Sequence, residues 1–378
     1  MSTGPKPLSP AARLAIPLLV VLVASALVSG ISGGLIRAGW ALPAFDGFRW
    51  VAPAVISHAA LMIGGFLGTV ISIERAVAVR LRLAFAAPIT AGLASVCILA
   101  GAPLAGHVLL LVASLVFIVV NVIIVQRQQA AHTVLLLLSA AAWAVGNVLA
   151  LVDAADLVAL PWWFGFLVLT IAAERLEMTR LMRRPRIVNL AFHACVVLLM
   201  LGAALSVVDA RSGGVLYGVA LVLFSVWLLR YDIARRTVHT EGLSRFMAVC
   251  LLAGHTWLLV AGLAWAATAL GLPLRDTALH AVGLGFVISM VMGHAPVILP
   301  AVARVRLLYG WPFYLPLVTL HLTLIVRLAG GLVDDRWRSV GAAGNAVAIA
   351  WFALTVIGSI FAARRQAQQR LARTRARA

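Results

Sequence analysis

The chain reads as an all-α integral membrane protein of about twelve transmembrane helices, and two observations predict this. Hydrophobic residues make up 63% of the 378 positions and charged residues 11%, with a mean hydropathy of +1.06. That is more apolar surface than a soluble domain can bury. Apolar runs of roughly 18–25 residues also recur from end to end, each long enough to cross a hydrocarbon core of about 30 Å.

The runs fall at 14–36, 51–73, 84–104, 106–126, 132–152, 157–173, 187–208, 213–230, 246–270, 277–303, 312–333 and 341–363. Their loops leave no room for a soluble domain, so residues 1–363 are expected to form one polytopic domain and 364–378 a basic tail. The first run, with Arg13 ahead of it and small residues after, has the look of a secretory signal. Removing it would leave eleven helices and put the tail on the wrong side, so it is kept as the first helix.

Charge supports this topology. With the N-terminus inside, twenty-three of the 30 Lys and Arg residues fall in cytoplasmic segments and six in outer loops, while Arg327 lies within a helix. This positive-inside asymmetry places both termini in the cytoplasm of a bacterial-type inner membrane. The net charge of +18 therefore reads as membrane orientation. The tail is expected to meet anionic lipid, not nucleic acid.

Cys97, Cys195 and Cys250 all lie inside apolar runs and suggest no disulfide framework. The CxxCH motif of covalent haem attachment is absent, so any haem would be of the noncovalent b type.

The second run contains GFLGTVISIERAVAVR from Gly65 to Arg80, and the sixth contains GFLVLTIAAERLEMTR from Gly165 to Arg180. The shared ERxxxxR is the informative part. The tenth run carries a fainter copy, with Gly285-Phe286 in register and His294 opposite Glu74 and Glu174. Copies four helices apart suggest three four-helix units about a pseudo-threefold axis. Chance similarity among Gly-rich helices with charged ends is the alternative.

His58 and His280 enter the second and tenth helices from the same side at similar depth. Two such imidazoles can supply both axial bonds of a low-spin haem b. Gly64, Gly65 and Gly68 follow one, and Gly283 and Gly285 the other, where small residues let a flat macrocycle approach. Met62 lies one turn below His58 and would pack beside the ring edge. The competing reading has the histidines bonded to neighbouring helices and the glycines serving helix packing.

His255, His294 and His321 are weaker metal candidates, as is His193; each taken singly suits a hydrogen-bonded interior residue. His107, His132 and His239 lie at helix ends or in a loop. Glu74-Arg75 and Glu174-Arg175 suit interfacial anchors, with proton entry as the alternative. In the outer stretch Asp334-Asp335-Arg336-Trp337-Arg338, Arg336 and Arg338 are candidates for neutralising haem propionates, against the reading of an ordinary solvated loop.

His58-Ala-Ala-Leu-Met-Ile followed by Gly65-Phe66 resembles the second helix of haem–copper oxidase subunit I. That resemblance implies a low-spin haem held by histidines of helices two and ten, and three four-helix arcs. The chain is more similar to the NnrS family, whose members are described as haem- and copper-containing membrane proteins connected with nitric oxide metabolism. His58, Met62, Gly65 and Phe66 match that family's second helix. Gly254-His255-Thr256-Trp257 with Leu258 and Gly262 resembles its ninth, and His280-Ala281-Val282-Gly283 with Gly293-His294 its tenth. The matching residues amount to three short stretches.

The departures are specific. The family's second histidine of helix two is Ala60 here, and the oxidase ligand two residues before His280 is Ala278. The sixth run offers Trp162, Trp163 and Phe164 in place of a His–Tyr pair, and the seventh has no adjacent histidines. An oxygen-reducing binuclear centre is therefore not expected.

The resemblance implies an NnrS-like haem b protein, with copper as a further cofactor and a redox partner or small gas as ligand. A proton- or ion-coupled transporter is the first alternative; it predicts substrate uptake into haem-free liposomes. A membrane assembly factor without chemistry of its own is the second; it predicts that His58 and His280 tolerate replacement.

Overall fold

A computed structural model describes residues 10–45, 47–152, 158–179, 185–303 and 305–375. Among the described residues the chain is helical, with no strand. Eleven of those helices are long and apolar enough to cross a membrane, so the chain is a multi-pass membrane protein. Helices are the expected solution because each closes its own backbone hydrogen bonds where no water can.

The order is α1 (Pro10–Arg37), α2 (Val51–Ile56), α3 (Thr69–Val79), α4 (Ala86–Leu99), α5 (Pro103–Arg127), α6 (Ala131–Val152), α7 (Leu160–Met178) and α8 (Arg186–Val208). There follow α9 (Ala210–Tyr231), α10 (Ala234–Thr237), α11 (Gly242–Ala269), α12 (Arg275–His280), α13 (Ser289–Ala303), α14 (Tyr314–Ile325) and α15 (Asp335–Arg375). Three π-helical segments interrupt the rods. Ala60–Gly68 leads into α3, Ala281–Ile288 joins α12 to α13, and Val326–Gly330 extends α14.

Two elements differ from expectation. The sixth run forms α7, 19 residues long, but its C-terminal end carries Glu174, Arg175 and Glu177; that charge keeps it out of the eleven. The last rod, α15, is 41 residues long, about 60 Å at 1.5 Å per residue. It absorbs Asp335–Arg338, expected in a loop, and most of the basic tail. No proline interrupts it, and its tail is rich in Ala, Gln and Arg, which favour helix.

The chain divides into two compact units, residues 1–128 with 143–159 and residues 129–142 with 160–378. In the first, α1 packs closely on α2 because Gly33 has no side chain; a Cβ there would overlap the Ala54 carbonyl. Trp143, fully buried, lies over Gly68 and edge-on to Phe117 at 5.7 Å between centroids. Asn147 Nδ2 donates to the Leu110 carbonyl at 2.9 Å, tying α6 to α5.

In the second unit, α8, α9 and α11 pack through small residues. The glycines Gly218 and Gly262 face each other, each where a Cβ would stand 2.6 Å from the other's carbonyl oxygen. Close backbone approach of this kind supplies the van der Waals contact that holds helices together in lipid. The hairpin of α14 and α15 closes where Asn345 Nδ2 reaches the Leu320 carbonyl at 3.1 Å and Thr323 Oγ1 at 2.8 Å.

Candidate functional site

His58 stands in the turn between α2 and the first π segment. Its Nδ1 donates to the Gly30 carbonyl of α1 at 2.7 Å. A neutral ring bonded this way carries its lone pair on Nε2. Gly34, one turn along α1, is where a Cβ would meet His58 Cε1 at 2.7 Å, and a Cβ on Gly30 would meet the Met62 sulfur at 2.6 Å. His58 and Met62 thus lie together in a groove made by Gly30-x-x-x-Gly34. The sequence reading missed these two glycines, although a GxxxG spacing in an apolar helix is a recognised close-packing signal.

The glycines after His58 do something else. Gly65 faces the Ser95 hydroxyl, Gly64 the Leu110 side chain and Gly68 Trp143. All three serve helix packing.

His280 ends α12. Its Nδ1 lies 3.0 Å from both the Asp276 carbonyl and Asp276 Oδ1, and its Nε2 accepts from Arg327 Nη2 at 3.0 Å. Because a guanidinium can only donate, His280 holds its lone pair on Nε2, the same tautomer as His58. Arg327, 9% exposed, binds Asp276 twice, Nε to Oδ2 at 3.0 Å and Nη2 to Oδ1 at 2.8 Å. From the sequence Arg327 stands out only as a charge within a helix. The missed signal is that it alone is charged between Trp311 and Gly330, and an ionisable residue within a membrane span is by default a functional candidate.

Gly283 has Phe164 Cε1 at 3.9 Å from where its Cβ would be, ordinary contact, whereas Gly285 is packed hard on Trp257. Gly165 likewise meets no atom nearer than the Tyr217 hydroxyl at 4.0 Å. Phe164, Trp265 and Tyr217 cluster with centroid spacings of 5.9 and 4.8 Å. The Tyr217 hydroxyl is buried without a hydrogen-bond partner.

The two histidines share a construction. Each is followed within two residues by a π segment containing Gly-Phe, and the hydroxyl four residues past that glycine bonds back to its carbonyl. These bonds are Thr69 to Gly65 at 2.5 Å and Ser289 to Gly285 at 2.6 Å. His58 precedes its Gly-Phe by seven residues and His280 by five. Gly165-Phe166 on α7 lies in regular α-helix, with no histidine ahead of it on that helix.

The remaining candidates separate clearly. Trp257 Nε1 donates to His321 Nδ1 at 2.9 Å. His321 therefore carries its proton on Nε2, where a metal would need the lone pair. His294 donates from Nδ1 to the Met290 carbonyl at 2.7 Å, and Arg175 Nη2 meets its Nε2 at 2.8 Å. His255 is fully buried with neither ring nitrogen partnered. His193 bonds the Asn189 carbonyl of its own helix.

Arg338 pairs with Asp335 one turn back on α15, and the Arg336 main-chain N–H donates to Asp334 at 2.8 Å; the cation held beside His280 is Arg327. Glu74 pairs with Arg75 at 3.3 Å. Among the described residues no three His, Cys, Asp or Glu side chains gather as a metal ion would require.

A sequence-family model described as a domain of unknown function (DUF8744) matches residues 13–361. No curated protein and no solved structure matches the chain.

Proposed function

The chain belongs to this family of unknown function, and from that footing we propose that it is a haem b protein acting in nitric oxide or related redox and gas metabolism. His58 and His280 are the residues that would hold its iron. The reading has twelve crossings of a bacterial-type inner membrane, in three four-helix repeats with both termini cytoplasmic.

The observation that carries the proposal is the construction shared by the two histidines. In both, Nδ1 donates to a carbonyl oxygen, so a neutral ring carries its lone pair on Nε2, and both stand just ahead of a π segment. Iron takes that form of the ring, and the partner on the other nitrogen sets the ring's orientation and basicity. π segments also concentrate at functional sites. His58 supports a haem through its Nδ1 bond to Gly30, and His280 would offer Nε2 to iron only once Arg327 turns away from it.

A bound haem supplies a one-electron iron centre that can also take a diatomic gas. The chain's own residues do the rest. The Gly30 carbonyl fixes the His58 tautomer. Asp276, through its carbonyl and carboxylate oxygens, fixes the His280 ring through Nδ1. Arg327 donates to the same lone pair that an iron would use, so it both orients His280 and competes for it. Met62 fills the groove beside His58, and Gly283 leaves a face open near His280. The copper that the NnrS resemblance implies finds no three-ligand group among the described residues, so it forms no part of the proposal.

The test is an optical spectrum of the detergent-purified protein, oxidised and dithionite-reduced, with a pyridine haemochrome assay. Sharp reduced α and β bands at near-stoichiometric haem b, lost in folded His58→Ala and His280→Ala, are expected. A colourless protein from haem-replete cells would sink the reading.

A further inference from the structure

In the second unit one buried cation, Arg175, has no carboxylate partner among the described residues. Arg175, near the end of α7, is 4% exposed. Its Nη2 donates to His294 Nε2 on α13 at 2.8 Å, and His294 Nδ1 is already committed to the Met290 carbonyl. His294 is therefore a neutral acceptor and brings no negative charge. The Arg175 Nε–H is buried with nothing to donate to. Glu174 and Glu177 flank it in the chain, yet among the described residues no carboxylate lies within ion-pair distance of its guanidinium.

A second observation falls at the same place. His255 on α11 is wholly buried, packs near Phe286 with ring centroids 6.3 Å apart, and has no partner for either ring nitrogen. Gly254, the residue before it, packs against Met290, whose carbonyl holds the His294 ring that Arg175 meets. A buried guanidinium with an unsatisfied Nε–H, in the same packed region as an unsatisfied buried imidazole, is a costly arrangement, because these polar atoms have given up water without gaining a partner.

We propose that Arg175, His255 and His294 form a buried binding site for one small monovalent anion, a halide or a small carboxylate. Arg175 supplies the charge and the unsatisfied Nε–H, His255 supplies a ring N–H, and His294 holds the guanidinium in place through Nη2. Guanidinium forks suit planar carboxylates and tolerate burial better than ammonium groups. The burial of His255 and Arg175 leaves no open path for a glycerophosphate headgroup, which limits the occupant to a small ion. His294 lies fourteen residues beyond His280 on the same rod, about 20 Å along the axis. The site is therefore separate from the imidazoles assigned to haem and does not rest on that assignment.

The full-length protein, purified in detergent and exchanged into gluconate as a bulky reference anion, is titrated with chloride or formate at constant ionic strength. Thermal unfolding and isothermal titration calorimetry are read together. The expected result is a saturable rise in melting temperature that disappears in Arg175→Met, with affinity at least about tenfold weaker in His255→Phe. The effect should be unchanged in Arg370→Gln, a substitution in the exposed tail. Should Arg175→Met not fold, Arg175→Lys keeps the charge while removing Nε–H, and weaker binding is expected.

Four outcomes overturn the proposal. One is no saturable effect of either anion on the natural sequence, and another is an equal effect in Arg175→Met. A third is a stoichiometric metal or lipid phosphate lost with His255→Phe. The fourth is an anion-dependent change in the Soret band, which would place the anion at the haem iron instead.

Discussion

Arg327 and Asp276 form a bidentate pair within the membrane-spanning part of the second unit, and the same guanidinium holds the Nε2 lone pair of His280. One cation thus satisfies a carboxylate and orients an imidazole. Asp276→Asn leaves the largely buried Arg327 without its anion and is expected to destabilise the protein by about 3 kcal/mol. Adding Arg327→Gln should recover part of that loss. Unfolding of both singles and the double in detergent gives the coupling; purely additive effects would mean that the pair contributes nothing as a pair.

Gly34→Ala acts on His58 without touching its chemistry. The new methyl would stand 2.7 Å from His58 Cε1, so the ring must leave its place against α1 and strain its 2.7 Å bond to Gly30. Haem per protein, read from the Soret band, should fall while the protein still folds. Gly358→Ala, with no atom within 4 Å of the added methyl, should leave it unchanged. Equal haem content in the two variants would remove α1 from the support of His58.

The π segments can be closed one residue at a time. Deleting Leu284 lets Ala281–Ile288 relax toward α-helix and turns α12 relative to α13 by about 100°. Helix content by circular dichroism should be kept, and haem binding should be lost as His280 turns away from its setting. Retained haem would show that the π turn has no part in placing the histidine.

Glycine substitutions should separate by what lies opposite. A Cβ on Gly213 would overlap the Ser206 backbone, so α8 and α9 must part, and Gly213→Ala is expected to cost about 1–3 kcal/mol. Gly358→Ala meets open space and should be neutral or stabilise α15 by up to about 1 kcal/mol. Thermal unfolding of the two variants decides the matter; a neutral Gly213→Ala would contradict the close approach.

Much of the architecture is readable from residues in order, because crossing a bilayer is a local requirement. A span needs about twenty apolar residues that close their own hydrogen bonds, and α5, α8, α9 and α11 lie close to the runs that predict them. Local charge also explains the exceptions. Three charged residues near its end set α7 apart, and an unbroken run of helix formers carries α15 through the expected loop and into the tail.

The glycines show where that legibility stops. Gly65 and Gly283 look alike in sequence, each a small residue following a histidine. Ser95 covers the first, and the second is left nearly open, a difference made by helices that the local pattern does not mention. His321 and His255 look alike in sequence, yet Trp257, 64 residues away, donates to His321 Nδ1 while both ring nitrogens of His255 stay without a partner.

The sequence by itself determined the membrane class and the sites of most of the helices, since hydropathy and helical rise are properties of neighbouring residues. Only the tertiary structure decided which ring nitrogen each histidine offers and which cation stands beside it. Those choices are made by hydrogen bonds that span 28 residues from His58 to Gly30, 47 from Arg327 to His280 and 119 from Arg175 to His294. Directional bonds between side chains that distant depend on how the helices pack, and no local periodicity encodes them.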